Sequence, residues 1–401
     1  MRATDPALVR QLIDHAGTGD EAILKLAGRV QYEPVVNALC EEVFLDLLPA
    51  DRPALRVRYE IRVAQHVLGF HVDVTAGAVK TESLPYSPDG TWEADGEIDL
   101  CVRQGLPEFA ATLHAVFGPA AAGDGHRVVA GVLAAAHRQA GHGGDADWHG
   151  RLERRAAERR DLGLLALRCG TDKWGAHWYA RHYAEYFQRL RAEPVRILEI
   201  GVGGFHDERG GGESLEMWRR YFPRGLVYGI DIADKSALES QRVRTFTGHQ
   251  SDTAFLESVV AETGELDIVV DDGSHFSADQ INSFRALVPH VRPGGLYAIE
   301  DLHTSYWPGF GGNRSDFGDP GTAVGFLKDL VDGLNHEDLL PDGPREPART
   351  DTAIVGVHFF HSLAILEMGD NREGAMSAFI PEEIKLEGPQ LMIPDYPLPP
   401  E

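Results

Sequence analysis

Cysteine is scarce in this chain. Cys40, Cys101 and Cys169 are the only three in 401 residues, and they lie far apart with no CxxC pair. A disulfide framework and a thiolate zinc site are thereby excluded, and buried structural thiols in a reducing compartment are expected. Basic charge is also short, with 38 Lys and Arg against 62 Asp and Glu and a formal net charge of −24. A field of that sign repels phosphate backbones and anionic headgroups, so neither nucleic acid nor a membrane is expected as a partner. No stretch approaches the roughly 18 consecutive apolar residues of a membrane-spanning helix. Asp5, Arg10 and Asp14 interrupt the N-terminus where a signal peptide needs its apolar centre. A soluble, cytoplasmic protein is the expectation.

What is present is an ordinary globular balance, 43% apolar and 25% charged, in a chain long enough for two or three domains. The first 140 or so residues mix helical periods (6–18, 33–48, 55–68 and 106–117) with short strand-like runs, Gly69–Val74 and Gly96–Val102. SPDG at 87–90 is a turn signal. This is the pattern of a small α+β domain. The non-periodic, Gly- and Asp-rich stretch 141–150 places a domain boundary at 145/146, and the basic helix RLERRAAERR follows it. From Pro194 the pattern changes to apolar strands (Val195–Ile200, Leu226–Ile230, Asp267–Val270, Leu296–Ile299) alternating with helical stretches. Such alternation predicts a parallel sheet covered by helices, α/β and Rossmann-like. Residues 353–360 and 363–368 read as a closing strand pair that supplies an antiparallel edge.

In that architecture ligands collect at the carboxyl ends of the strands. The first strand runs out in Glu199-Ile200-Gly201-Val202-Gly203-Gly204. Glycines there let the backbone approach a ligand, and the next helix N-terminus favours negative charge; a tight strand-to-helix turn is the plainer reading. The second strand ends at Asp231, whose carboxylate suits two ribose hydroxyls or, alternatively, a helix cap. A possible third strand, Val243–Phe246, precedes Gln250, Ser251 and Asp252, which suit either an adenine edge or a cap or turn. The interval from Gly203 to Asp231 exceeds the roughly 20 residues usual between such a loop and its ribose acid. The segment HDERGGGES accounts for the excess and suggests a flap.

Asp271, Asp272 and His275 follow the fourth strand, and Glu300, Asp301 and His303 follow the fifth. Oxygen donors from neighbouring strand ends, with no thiol among them, suit Mg²⁺; the alternative is carboxylates bonded to helix N-termini. His275 is placed to take a proton from a hydroxyl attacking a methyl group, and His303 stays open as another base or a supporting partner. An aliphatic alcohol is a poor nucleophile near neutrality, so a cation and a base are needed together. The glycine-flanked aromatic loop that follows, with Tyr306 and Trp307, suits the apolar face of a sugar or polyketide, or else simply packs on itself.

Taken together, E-x-G-x-G-G, G-I-D, D-I-V-V-D-D-G-S-H and R-P-G-G-L-Y-A-I-E-D resemble the class I S-adenosylmethionine methyltransferases. V-D-D-G-S-H, I-E-D-L-H-T-S-Y-W and the segment Gly170-Thr171-Asp172-Lys173-x-x-x-His177-x-Tyr179-x-x-x-Tyr183-x-x-Tyr186 narrow this further. Over its C-terminal 230 or so residues the chain is similar to the metal-dependent sugar O-methyltransferases of antibiotic biosynthesis. The resemblance implies S-adenosylmethionine and Mg²⁺ as cofactors, with Asp272, Glu300 and Asp301 as metal ligands and His275 as base. It also implies Thr171, Tyr179, Glu199, Gly201, Gly203, Asp231, Gln250, Ser251, Asp252 and Asp271 around the cofactor. The implied acceptor is a deoxysugar hydroxyl on a glycosylated macrolide or polyketide, held near His303, Tyr306 and Trp307. An N-terminal auxiliary domain and a homotetramer come with the resemblance alone. A phenol or catechol O-methyltransferase, a non-catalytic nucleotide-binding assembly protein and a nicotinamide dehydrogenase are the alternatives from other classes.

Overall fold

The structure is a computed structural model that describes residues 5–44, 54–75, 78–84, 98–140, 147–205, 207–340, 346–372, 374 and 385. The SPDG turn, most of the 141–150 stretch, residues 96–97 and His206 lie outside the described residues. The chain divides into two compact units, 1–274 and 275–401. No helix among the described residues is long and apolar enough to cross a membrane.

Unit 1 begins with three helices, Pro6–Ala16, Asp20–Val30 and Tyr32–Phe44. Asp5 caps the first, its carboxylate accepting from the Ala7 amide at 2.9 Å, and Pro6 occupies the first turn, where a missing N–H costs nothing. A four-stranded sheet follows, built from β1 (Leu55–Val63), β2 (His66–Thr75), β3 (Ala78–Leu84) and β4 (Leu100–Gly105) in the order β3-β2-β1-β4. The expected helix over 55–68 is therefore a hairpin. Leu55, Val57, Tyr59, Ile61 and Val63 alternate with Arg, Arg, Glu and Arg, a period of two that buries one face against the helices, and Ala64 turns the chain at φ +53°. Helices Leu106–Phe117 and Gly125–Gln139 pack on this sheet, the first as expected. Cys40 and Cys101 are buried and Cys169 is half-buried, all three as free thiols.

The basic segment forms a helix at Trp148–Glu158, and two more helices, Leu162–Cys169 and Tyr179–Phe187, lead into the parallel sheet of unit 1. Its strands are β5 (Arg196–Ile200), β6 (Leu226–Asp231), β7 (Val243–Thr247) and β8 (Leu266–Asp271), ordered β8-β5-β6-β7. All three pairings are parallel, and Ile200 faces both Ile230 and Asp271. Every residue of β8 is buried, and its apolar centre, Ile268, Val269 and Val270, is that of a strand covered on both sides. The chain progresses outward from β5 through β6 to β7 and then returns to place β8 on the other side of β5. That reversal opens a crevice beyond the carboxyl ends of β5 and β8.

Unit 2 carries helix Ser277–Leu287, then β9 (Val291–Ile299), helix Ala323–Leu334, β10 (Ile354–Phe360) and β11 (Leu363–Met368). β11 pairs antiparallel with both β9 and β10, which is the antiparallel edge expected from the sequence.

Candidate active site

At the carboxyl end of β5, Gly201 sits at φ +90°, and a Cβ there would meet the Asp272 carbonyl oxygen at 2.1 Å. The loops after β5 and β8 thus touch backbone to backbone, an approach that only glycine permits. The Asp272 amide donates to the Ile200 carbonyl at 2.9 Å and the Gly201 amide to that of Ile230 at 2.8 Å, so three strand ends are laced together. Gly203 follows at φ +78°, and Gly212 returns to donate to the Val202 carbonyl at 2.8 Å. The stretch read as a flap is tied down instead. Buried Lys235 donates from Nζ to the carbonyls of Phe205, Asp207 and Gly210 at 3.0, 2.6 and 3.0 Å.

Asp231 ends β6 with each carboxylate oxygen accepting one backbone bond, from Val202 at 3.0 Å and Ala233 at 2.8 Å. Both bonds hold the glycine loop and the outgoing turn. Gln250 is buried and braces the loop after β8: its Nε2 donates to Asp271 Oδ1 at 3.1 Å and its Oε1 accepts from the Ser274 amide at 2.7 Å. Asp271 is fully enclosed. Ser251 is exposed and bonds His249 at 2.7 Å, while Asp252 caps helix Thr253–Thr263 by accepting from the Phe255 amide at 3.1 Å. For Asp252 this is the capping role the sequence allowed as an alternative.

Glu199 is fully buried. One of its oxygens accepts from Trp218 Nε1 at 3.0 Å, and the other lies 3.3 Å from Lys173 Nζ. Burial pushes its carboxyl up to about 7, the nearby Lys173 ammonium opposing the rise and the Asp272 carboxylate adding to it. Lys173 in turn donates to Asp272 Oδ2 at 2.8 Å. Thr171 is buried two residues before it, and Tyr179, also buried, stacks on His177 with ring centroids 4.6 Å apart. Trp218 receives Tyr183 edge-on at 5.3 Å, so the T-D-K…Y segment is fastened to helix Glu213–Tyr221. Sequence reasoning quoted Lys173 within its motif and gave it no role, and it missed Trp218. Motif spacing does not say where a lysine ammonium ends.

In unit 2, His275 and Asp301 both adopt left-handed backbone, φ +59° and +54°. Each such residue costs about 1–3 kcal/mol unless its surroundings enforce it. The enforcing group is Thr304, whose hydroxyl lies 2.9 Å from the His275 carbonyl and 2.9 Å from that of Asp301. Their side chains face one another, Nε2 of His275 at 3.6 Å from Asp301 Oδ2, and the buried Nδ1 has no hydrogen-bond partner among the described residues. Glu300 is buried, with its carbonyl accepting from Gln280 Nε2 at 2.9 Å. His303 bonds Ser362 through both its amide and its Nδ1 and meets Trp307 edge-on at 4.6 Å. Tyr306 is 41% and Trp307 49% exposed, unusual for side chains of that size, so the loop presents its aromatics outward.

A switch point between β5 and β8, a glycine loop after β5 and an acid at the end of β6 are the features of a class I methyltransferase. No family model matches the chain. It is 37% identical to demethylmacrocin O-methyltransferase of Streptomyces fradiae over 94% of this chain and 95% of that one. Mycinamicin VI 2''-O-methyltransferase of Micromonospora griseorubida is 46% identical over 57% of this chain and 58% of its own. Among solved structures, the MycE methyltransferase of the mycinamycin biosynthetic pathway, in complex with Mg and SAH, matches at a TM-score of 0.72 with 32% identity, covering 95% of this chain and 97% of that one. The chain belongs to the sugar O-methyltransferases of macrolide and polyketide pathways.

Proposed function

We propose that this protein moves a methyl group from S-adenosylmethionine to a deoxysugar hydroxyl of a glycosylated macrolide or polyketide, with Mg²⁺ and with His275 as general base. The observation that carries the reading is the His275–Asp301 pair, held in left-handed backbone with imidazole and carboxylate 3.6 Å apart. Strain of that kind collects where a side chain must be aimed. Support for the acceptor comes from the relatives, one solved in complex with Mg, SAH and mycinamycin VI.

The residues fit both groups. The donor set for a metal, Asp272, Glu300 and Asp301, is oxygen only, and Asp272, His275 and Asp301 are each half-buried, sheltered yet reachable. For the cofactor, Gly201 and Gly203 put no side chain at two positions of the loop after β5, and Asp231 keeps acceptor capacity for ribose. Glu199 and Gln250 brace the cradle from beneath, and Thr171, Tyr179, Ser251, Asp252 and Asp271 complete the proposed cofactor set. Asp272, Glu300 and Asp301 are the residues that would hold Mg²⁺, which would supply Lewis-acid polarisation of a sugar hydroxyl. His275 takes the hydroxyl proton as the oxygen attacks the methyl carbon; the O–CH₃ bond forms, the S–CH₃ bond breaks and S-adenosylhomocysteine leaves. His303, Tyr306 and Trp307 hold the glycoside so that oxygen, carbon and sulfur line up.

We assign residues 1–145 to an auxiliary domain and 146–401 to the methyltransferase domain, in a cytoplasmic homo-oligomer, a tetramer by resemblance. Labelled methyl transfer to a panel of deoxysugar glycosides and catechols, with Mg²⁺ and with a chelator, tests the activity. Magnesium-dependent labelling of a glycoside is expected. Labelling of catechols alone would replace the acceptor, and no labelling with no cofactor binding would overturn the reading.

A further inference from the structure

Helices Tyr32–Phe44, Leu106–Phe117, Gly125–Gln139 and Trp148–Glu158 of unit 1 line a small cavity together with Arg191, just before β5. Its volume is about 70 Å³. One water needs roughly 10–15 Å³ of such space, so about five heavy atoms fit. A cofactor or a glycoside, which needs about 300–1,000 Å³, is excluded. Among the described residues that line the cavity, the side chains are apolar apart from Glu42, His126, Arg155, Arg159 and Arg191. Glu42 is already engaged, its two oxygens accepting from Arg242 and Gln241. The basic segment RLERRAAERR, which supplies Arg155 and Arg159, has no part in the proposed methyl transfer.

Arg191 is fixed in place: Nη1 donates to the Ala122 carbonyl at 2.8 Å, and the guanidinium carbon lies 5.7 Å from the centre of the Tyr221 ring. Its Nε is buried and has no acceptor among the described residues. Burial above all, with the like charges of Arg160 and Arg159 behind it, pulls the guanidinium below its usual range, and Tyr221 offsets them only in part. A buried donor without an acceptor is costly, more so on a cation. The start of helix Gly125–Gln139 reaches the same cavity through Gly123 and His126. Asp124, in its N-cap position, makes no side-chain cap bond and pairs with Arg127 at 3.8 Å, so its carboxylate does not meet the positive end of the helix dipole. We propose that the cavity binds a small free oxyanion, phosphate, with Arg191 Nε as its principal donor. Guanidinium groups match phosphate oxygens in geometry and charge. The nearby charges felt at Arg191 include two further arginines, so a dianion gains more there than a carboxylate does.

The test is calorimetry on the full chain with inorganic phosphate and acetate as separate probes. One phosphate per chain is expected, bound more tightly than acetate, with a thermal midpoint that rises with phosphate concentration. Arg191→Met should weaken phosphate binding by about tenfold or more, since it removes a charge-assisted hydrogen bond. Should that variant fail to fold, as judged by circular dichroism, Ala156→Glu takes its place: it sets a carboxylate on the cavity wall and should cause the same loss. Absence of saturable phosphate binding, or unchanged affinity in the folded variant, overturns the proposal. Acetate bound as tightly as phosphate would overturn the assignment of the anion.

Discussion

Glu42 and Arg242, 200 positions apart, form a buried ion pair with Nη2 2.8 Å from Oε1. Helix Tyr32–Phe44 supplies the carboxylate and the residue just before β7 the guanidinium, which also donates to the carbonyls of Phe222, Gly225 and Arg219 at 3.0, 2.9 and 2.8 Å. Gln241 adds a bond to Glu42 at 2.7 Å. The N-terminal helices and the parallel sheet of unit 1 are thereby joined by charge as well as by apolar packing. Arg242→Met is expected to cost about 3–5 kcal/mol, since it leaves a buried carboxylate without its main partner. The paired change Glu42→Leu with Arg242→Met should recover most of the loss in urea unfolding.

Glu42 and Glu199, both buried in unit 1, give opposite pH dependences. Burial acts to raise the Glu42 carboxyl, but the charges and hydrogen bonds of Arg242, with Arg219 and Arg159 behind it, outweigh burial and hold it below the usual carboxylate range. Its contribution is present above the unfolded value of about 4.3 and is lost as pH falls through the folded value. The stability difference between the unaltered protein and Glu42→Gln should therefore shrink below about pH 4.

Glu199 runs the other way. The unfolded chain releases this proton near about pH 4.3, while the folded chain, whose carboxyl burial pushes up to about 7, retains it longer. Between those values the folded state binds more protons, so this group's contribution to stability declines as pH rises. Unfolding of Glu199→Gln between pH 5 and 7 should lack that decline.

His275→Ala should lower turnover by about 10²–10⁴-fold, the usual worth of a positioned base. Cofactor affinity, measured by calorimetry with S-adenosylhomocysteine, should stay within experimental error of the unaltered protein. A variant that turns over normally removes His275 from the mechanism.

Gly201→Ala places a methyl group 2.1 Å from the Asp272 carbonyl at a backbone angle of +90°. The strained angle alone costs about 1–3 kcal/mol, and the clash must push the loops after β5 and β8 apart. Weaker binding of S-adenosylhomocysteine by more than about tenfold is expected. Trp307→Ala, by contrast, should raise KM for the glycoside about two- to tenfold with little change in cofactor binding, since it removes an exposed aromatic face.

Much of this protein was legible in its sequence. The strands of the parallel sheet declared themselves as apolar runs followed by glycines or acids, because a strand covered on both sides has no polar face to hide it. The region 55–68 misled because Val57, Ile61, Ala64 and Leu68 also fall at helical spacing, and only pairing of Leu55–Val63 with His66–Thr75 decided for a hairpin. The motifs also told which residue types gather after the strands. They did not tell which of them face a ligand and which brace their neighbours.

That division was made by tertiary contact. Chain order and residue type determined the glycine loop, the acid after β6 and the acids after β8 and β9, since each follows its own strand by local geometry. Gln250 turning to Asp271 and Ser274, Asp252 closing a helix, Lys173 ending between Glu199 and Asp272, and Glu42 meeting Arg242 all depend on segments 21 to 200 residues apart or on which of two nearby partners a side chain meets. A buried charge takes whichever opposite charge the fold brings to it, and the pairing exists only once the sheet and helices have closed around it.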